Sequence, residues 1–214
     1  LARGAALADG AQHQGFGASF GDYDRDGWLD LHTTEWQTDI ASPVSPSHAR
    51  LLRNRGAQGP AFAGHFEDVT VAAGVSVFNT GVRTGAFAFA SSFSDLDDDG
   101  WPELLVASDW GTSRLFHNAG DGTFTDVTTS AGVGGEDNAM GSTVGDVNGD
   151  GRLDWFVTSI FCTNDSVPCP ATGNRLYRNL GDGTFADDTD LAGVRDVSAR
   201  RAQATARAAS AARR

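Results

Sequence analysis

One dense pattern of side-chain oxygens occurs three times in the chain. Asp22, Asp24, Asp26 and Asp30 fall within GDYDRDGWLD, Asp95, Asp97, Asp99 and Glu103 within SDLDDDGWPE, and Asp146, Asn148, Asp150 and Asp154 within GDVNGDGRLD. These residues occupy positions one, three, five and nine of each loop, with Gly27, Gly100 or Gly151 at position six. Alternate residues of a tight turn point to the same side, so the first three side chains converge while the glycine permits the bend. The backbone carbonyl at position seven, from Trp28, Trp101 or Arg152, and the carboxylate at nine would complete a shell of hard oxygens suited to Ca2+. Bare carboxylates so spaced repel one another, and a divalent cation converts that repulsion into an attraction that fixes the turn. The pattern predicts a calcium site in each of the three loops.

An EF-hand shares the first half of this logic but ends on a bidentate acid at position twelve. Here position twelve is Thr33, Val106 or Val157, and the residues that follow position nine read as strand, so the EF-hand and dockerin loops are rejected. Catalytic patterns are few. GASFG at 17–21 matches GxSxG, but a nucleophile elbow leads from strand into helix, and Ser19 precedes an acidic loop and then a strand. No pattern places any of the five histidines beside Ser19, and no HExxH or phosphate-binding glycine loop occurs. The chain does not read as an enzyme. Trp36 and Trp110, which end TTEW and ASDW beside Glu35 and Asp109, are the candidates for a sugar-stacking surface, whereas Trp155 sits in an apolar run and reads as core.

The elements that position the loops also repeat. After each acidic loop comes a second motif, LLRNRGAQGPAFAGHFEDVTVAAGV (51–75), LFHNAGDGTFTDVTTSAGV (115–133) and LYRNLGDGTFADDTDLAGV (176–194). Segments such as FGASFGD, LDLHTTEW, RLFHN and FTDVT run apolar or alternate for a few residues between Gly, Asn and Asp, which predicts short strands, with no helical period before the final segment. Four strands per unit make a propeller blade, and the Gly, Ala and Ser of GFGASFGD, GAFAFASSFSD and NAMGSTVGD suit the crowded inner strand. The expected fold is all-β, a β-propeller segment of three four-stranded blades at about 14–75, 85–133 and 139–194, followed by an Ala/Arg-rich tail at 195–214 read as disordered or frayed helix. Asn54, Asn118 and Asn179 each precede a glycine turn and are expected to close it by bonding the backbone. Insertions at 37–49 and around the cysteines share one joint, the face where a propeller often binds.

These residues resemble the FG-GAP or VCBS repeat, the calcium-loop blade of integrin-α-like β-propellers. The pairing of DxDxDGxxD with NxGDGTFxDVTxxAGV is most similar to the ASPIC/UnbV and cartilage-acidic-protein group, over about residues 14–194. The resemblance implies a secreted or cell-surface interaction module with Ca2+ as a structural cofactor, binding an unknown protein or glycan. The alternative is a non-catalytic propeller appendage of a larger secreted enzyme. Such propellers have about seven blades against three here, so further blades are expected from additional chain or by self-association.

Composition agrees with these expectations. The formal charge is −12, and because six of the sixteen Arg residues and one acid follow Val194, the body pairs ten Arg with 27 acids, near −17. So acidic a body repels nucleic acid and points to cations. No apolar run is long enough for a membrane span, and the first residues lack a signal-peptide pattern, so export would rest on a segment not in this chain. Cys162 and Cys169, in CTNDSVPC, suit a small disulfide in an oxidising compartment and not a zinc pair.

Overall fold

The computed structural model describes residues 15–38, 49–77, 79–80, 84–160 and 173–195. The Cys162–Cys169 pairing, most of the 37–49 insertion and the Ala/Arg tail beyond 195 lie outside the described residues.

Three antiparallel units follow one another. The first contains β1 (Gly15–Gly21), β2 (Asp30–Thr38), β3 (Arg50–Asn54) and β4 (Phe66–Asp68), each paired with the next. A short strand, β5 (Asn79–Thr80), pairs with the start of β6 (Thr84–Ser94), which opens the second unit of β6, β7 (Glu103–Ser108), β8 (Arg114–Asn118) and β9 (Phe124–Asp126). The third unit is β10 (Ala139–Gly145), β11 (Asp154–Ser159), β12 (Arg175–Asn179) and β13 (Phe185–Asp187). The first hairpin of each unit has the same register shift near its open end, at Gly15/Gly17, Ala88/Ala90 and Ala139/Gly141. The end of β2 also pairs with the start of β6, Trp36 opposite Phe87, and this knits the first two blades together. The fold is all-β and propeller-like, as the repeat predicts.

The central blade shows why the sequence alternates as it does. Every residue of β7 is buried, because successive side chains leave opposite faces of a strand and both faces are covered. Leu104 and Val106 join Tyr23, Leu51, Phe116 and Phe124 in a core against the first blade. Leu105 and Ala107 join Leu96, Leu115, Trp155, Val157, Tyr177 and Phe185 in a core against the third. Each large side chain so buried contributes roughly 1.5–3 kcal/mol relative to exposure.

Toward the axis the blades crowd, β1 lying on β6 and β6 on β10. A Cβ at Gly17 would meet the Phe89 carbonyl at 2.6 Å, and one at Gly21 would meet the Phe93 ring at 2.6 Å, so glycine is required at both. The closing Ala-Gly-Val motif is a helical turn. In the second blade it forms α1 (Thr128–Ala131), a departure from the expectation of no helix, and ends on Gly132 at φ 75°. The same valine-to-threonine backbone bond recurs at Val75, Val133 and Val194. One turn capped by a left-handed glycine is too short to show as a helical period.

Candidate cation-binding loops

Each acidic loop spans the first two strands of its blade, and its backbone is built to bend twice. Position six is left-handed in all three, with Gly27, Gly100 and Gly151 at φ 87–88°. Position four is left-handed as well: Arg25 at 55°, Asp98 at 62° and Gly149 at 76°. Position five holds the turn by accepting the N–H of position seven, Asp26 from Trp28 at 2.9 Å, Asp99 from Trp101 at 2.7 Å and Asp150 from Arg152 at 2.9 Å. Position one accepts the N–H of position six, at 3.0 Å from Gly27 and 2.9 Å from Gly100 and Gly151.

The carboxylate at position nine is buried in every copy and bonds two backbone amides. Asp30 accepts from Tyr23 N (3.2 Å) and Asn54 N (2.7 Å), Glu103 from Leu96 N (2.8 Å) and Asn118 N (3.4 Å), and Asp154 from Val147 N (3.1 Å) and Asn179 N (2.8 Å). It therefore joins position two of its own loop to the end of the third strand.

Positions one, three and nine come together in the first two loops. Asp22, Asp24 and Asp30 each offer an oxygen within 4.8 Å of the others, as do Asp95, Asp97 and Glu103. Position five does not join these clusters; Asp99 instead groups with Asp97 and His117. The donor set is hard oxygen, and each of the two cages has one buried oxygen with no protein partner, Oδ1 of Asp24 and Oδ1 of Asp95. A buried, unsatisfied carboxylate oxygen is costly unless a cation meets it. Electrostatics agree, since burial chiefly, with neighbouring aspartates, raises the pKa of Asp24 and pushes Asp30 to about 7. Glu103 is likewise pushed to about 7 by burial, with Asp97 adding to it. These residues fit a hard divalent ion.

The third loop differs. Asn148 and Arg152 donate to the Asp150 carboxylate at 3.0 and 2.6 Å, and Asp146 accepts from Gly149, Asp150 and Gly151. Backbone N–H bonds, from Gly151 to Asp146 and from Arg152 to Asp150, are the chief cause that holds both carboxyls below the usual range, the other bonds adding to it. Arg152, placed where the other loops carry tryptophan, already supplies the positive charge.

The three asparagines do close their turns, Oδ1 accepting from Gly56, Gly120 and Gly181 at 2.9–3.0 Å. Two of them also do what the pattern did not show. Nδ2 of Asn118 donates to the Tyr23 carbonyl of the preceding blade at 2.9 Å, and Nδ2 of Asn179 to the Leu96 carbonyl at 2.7 Å. Position two of an acidic loop is thus the anchor for the next blade.

Ser19 has a histidine nearby after all. His32 Nδ1 lies 2.9 Å from Ser91 Oγ, and Ser91 lies 3.0 Å from Ser19 Oγ, a seam between blades one and two. His32 is fully buried, its Nε2 meets no carboxylate, and burial pushes its pKa down to about 3. A neutral imidazole without an orienting acid is a packing element and not a general base poised near neutrality. Trp36 donates to Asp109 at 2.9 Å between Phe87 and Phe89, which makes it a half-buried strut and not an open stacking platform. Trp155 is core, as expected.

Blade, acidic loop and asparagine anchor together define an all-β, propeller-like protein, and residues 95–157, from the second loop through most of β11, match the profile of the FG-GAP-like repeat family. The chain is similar to human cartilage acidic protein 1, at 39% identity over 90 residues, 41% of this chain and 12% of that protein's length. A solved structure of an Agrocybe aegerita lectin, titled for recognition of non-reducing terminal N-acetylglucosamine, covers 82% of this chain and 37% of its own, at 18% identity and a TM-score of 0.40.

Proposed function

We propose that the chain is a calcium-binding, non-catalytic β-propeller module of an extracellular protein, which holds a protein or glycan ligand on its loop face. The reading is carried by the buried, unpartnered Oδ1 atoms of Asp24 and Asp95, each inside a cluster of converging carboxylates. Asp22, Asp24, Asp30 and the Trp28 carbonyl would hold one ion, and Asp95, Asp97, Glu103 and the Trp101 carbonyl a second, with Asp26 and Asp99 completing the shells. Asp146, Asn148, Asp150, Asp154 and the Arg152 carbonyl would form the weakest third site. The ion supplies charge neutralisation that rigidifies each turn and, through position two, the blade interface. The extracellular assignment is supported by the likeness to cartilage acidic protein 1. Thermal unfolding with calcium, with magnesium and with chelator tests the metal. At about 100 times the dissociation constant, calcium should add roughly 2.7 kcal/mol per site, and a transition that calcium leaves in place refutes the reading.

A further inference from the structure

The two blade junctions are built from equivalent residues, yet they differ in bulk at two places. At the first junction, position two of the loop is Tyr23, whose ring is 2% exposed and lies 5.7 Å from that of Phe124. The next-to-last residue of β3 there is Arg53, bonded to Glu67 at 3.0 Å. At the second junction the same places hold Leu96, facing the equivalent Phe185, and His117. Exchanging Tyr for Leu and Arg for His removes volume at one spot, and a cavity of about 390 Å³ lies there.

Its walls are two-sided in character. Leu96, Leu115, Val127 and Phe185 make an apolar floor, while Asp97, Glu103 and Asp182 contribute carboxylates. Asp182 accepts both the N–H (3.0 Å) and the hydroxyl (2.5 Å) of Thr184, bonds that favour its ionised form. Among the described residues no arginine lines the space, and His117 is its basic residue. A dication held by the second loop would offset only half of that loop's four carboxylates, so the cavity stays negative beside its apolar floor. Pockets of this size that pair an apolar lining with a few placed polar groups take compact organic ligands.

We propose that the cavity between the second and third blades is a binding site for a small organic cation, an ammonium group carried on a compact apolar body. The apolar part fills the space vacated by the tyrosine ring, and the ammonium meets Asp182 and the exposed Asp97 of the second loop. The site is independent of the loop-face ligand proposed above.

The test uses the whole chain with calcium present throughout and three probes of one shape, benzylammonium, benzyl alcohol and phenylacetate, followed by NMR titration. Benzylammonium should saturate and bind at least about tenfold more tightly than phenylacetate. Asp182→Asn, which keeps the oxygen that Thr184 bonds, should weaken benzylammonium several-fold and leave benzyl alcohol unchanged. Leu96→Tyr rebuilds the first junction's packing at the second, so it should fold with an undiminished thermal transition and lose at least about tenfold in affinity for both bound probes. His117→Arg, a second way to fill the space, should act in the same direction. Equal binding of the three probes, binding unaltered in folded Leu96→Tyr and His117→Arg, or no saturation by benzylammonium up to about 10 mM overturns the proposal. A failure of calcium to stabilise the chain would count against the proposed function alone, since the filling variants report on the cavity directly.

Discussion

The side-chain amide of Asn118 donates to the backbone carbonyl of Tyr23, 2.9 Å away and 95 residues earlier in the chain. Asn179 repeats the bond one blade later, to Leu96 at 2.7 Å. Each asparagine also bonds the carbonyl at position eight of its own loop and the glycine N–H of its own turn, so three backbone groups depend on one buried side chain. Asn118→Ala or Asn179→Ala should therefore cost about 2–3 kcal/mol, toward the upper end for buried groups left without a partner. Urea unfolding checks this, and a loss under 0.5 kcal/mol, the range of an ordinary surface substitution, would mean that the bond across the blades carries no weight.

The cages can be tested one at a time. Asp24→Ala and Asp97→Ala should each remove one calcium site and most of its share of the calcium-dependent stabilisation, as read by calorimetric titration and thermal unfolding. The natural control is Asp98, which belongs to none of the carboxylate clusters, but it sits at φ 62°. Alanine there would add left-handed strain of roughly 1 kcal/mol unrelated to metal. Asp98→Asn tolerates that conformation and should leave the calcium response unchanged; a response lost in Asp98→Asn as in Asp97→Ala overturns the assignment of ligands.

Much of this was legible in the residues themselves. Three copies of an alternating oxygen pattern around a glycine showed the loops, and the period showed the blades, because both are local. What the pattern hid depends on register between blades. The Asn118–Tyr23 bond and the seam of His32, Ser91 and Ser19 join residues of different blades, far apart in the chain. Position nine was legible as an oxygen donor but not as the clamp on two amides, since the second amide belongs to a strand some 15–25 residues further on. Position four gave a partial signal: a glycine at 149 in one copy, but Arg25 and Asp98 in the others.

The third loop offers a prediction in the opposite direction. Arg152 bonds Asp150 and so competes with a cation, in a pair that solvent screens. Arg152→Trp, the residue found at position seven of the other loops, should raise calcium affinity at this site by about 2–5-fold, and Asn148→Asp should add to it. Affinity unchanged in the double variant would show that rigidity, and not charge, sets the order of the sites.

Proton linkage should run contrary to the usual carboxylate. Asp30 and Glu103 both titrate near 7, above their unfolded values, because burial disfavours the ionised form. The native state then binds more protons than the unfolded chain between about pH 4 and 7, so stability without metal falls as pH rises through that window and levels off above it. Calcium requires the ionised carboxylates, so its stabilisation should grow over the same range and release protons on binding. Midpoints measured at pH 5, 6, 7 and 8, with chelator and with calcium, should diverge as pH rises. Parallel curves would show that these two carboxyls do not couple to the metal.

The lateral faces supply the last prediction. Position two of the first and second loops is covered by the next blade, leaving Tyr23 2% and Leu96 6% exposed, while its equivalent Val147 is 61% exposed on the third blade. On the first blade, Phe16 and Phe20 are 53% and 62% exposed on β1. The two faces are complementary by construction, because the first blade meets the second, and the second the third, through the same positions. A head-to-tail contact between copies would bury Val147 and set its carbonyl where Asn54, the counterpart of Asn118, reaches in the repeat. Such contacts close into rings or extend into fibres according to the rotation between subunits. The chain should therefore associate with rising concentration, and Val147→Ser or Phe20→Ser should shift that association to higher concentration, each removing an exposed apolar group. Sedimentation velocity over a hundredfold range of concentration is the measurement; a single monomeric species throughout, with cooperative unfolding, would show that the open faces are stable in water as they stand.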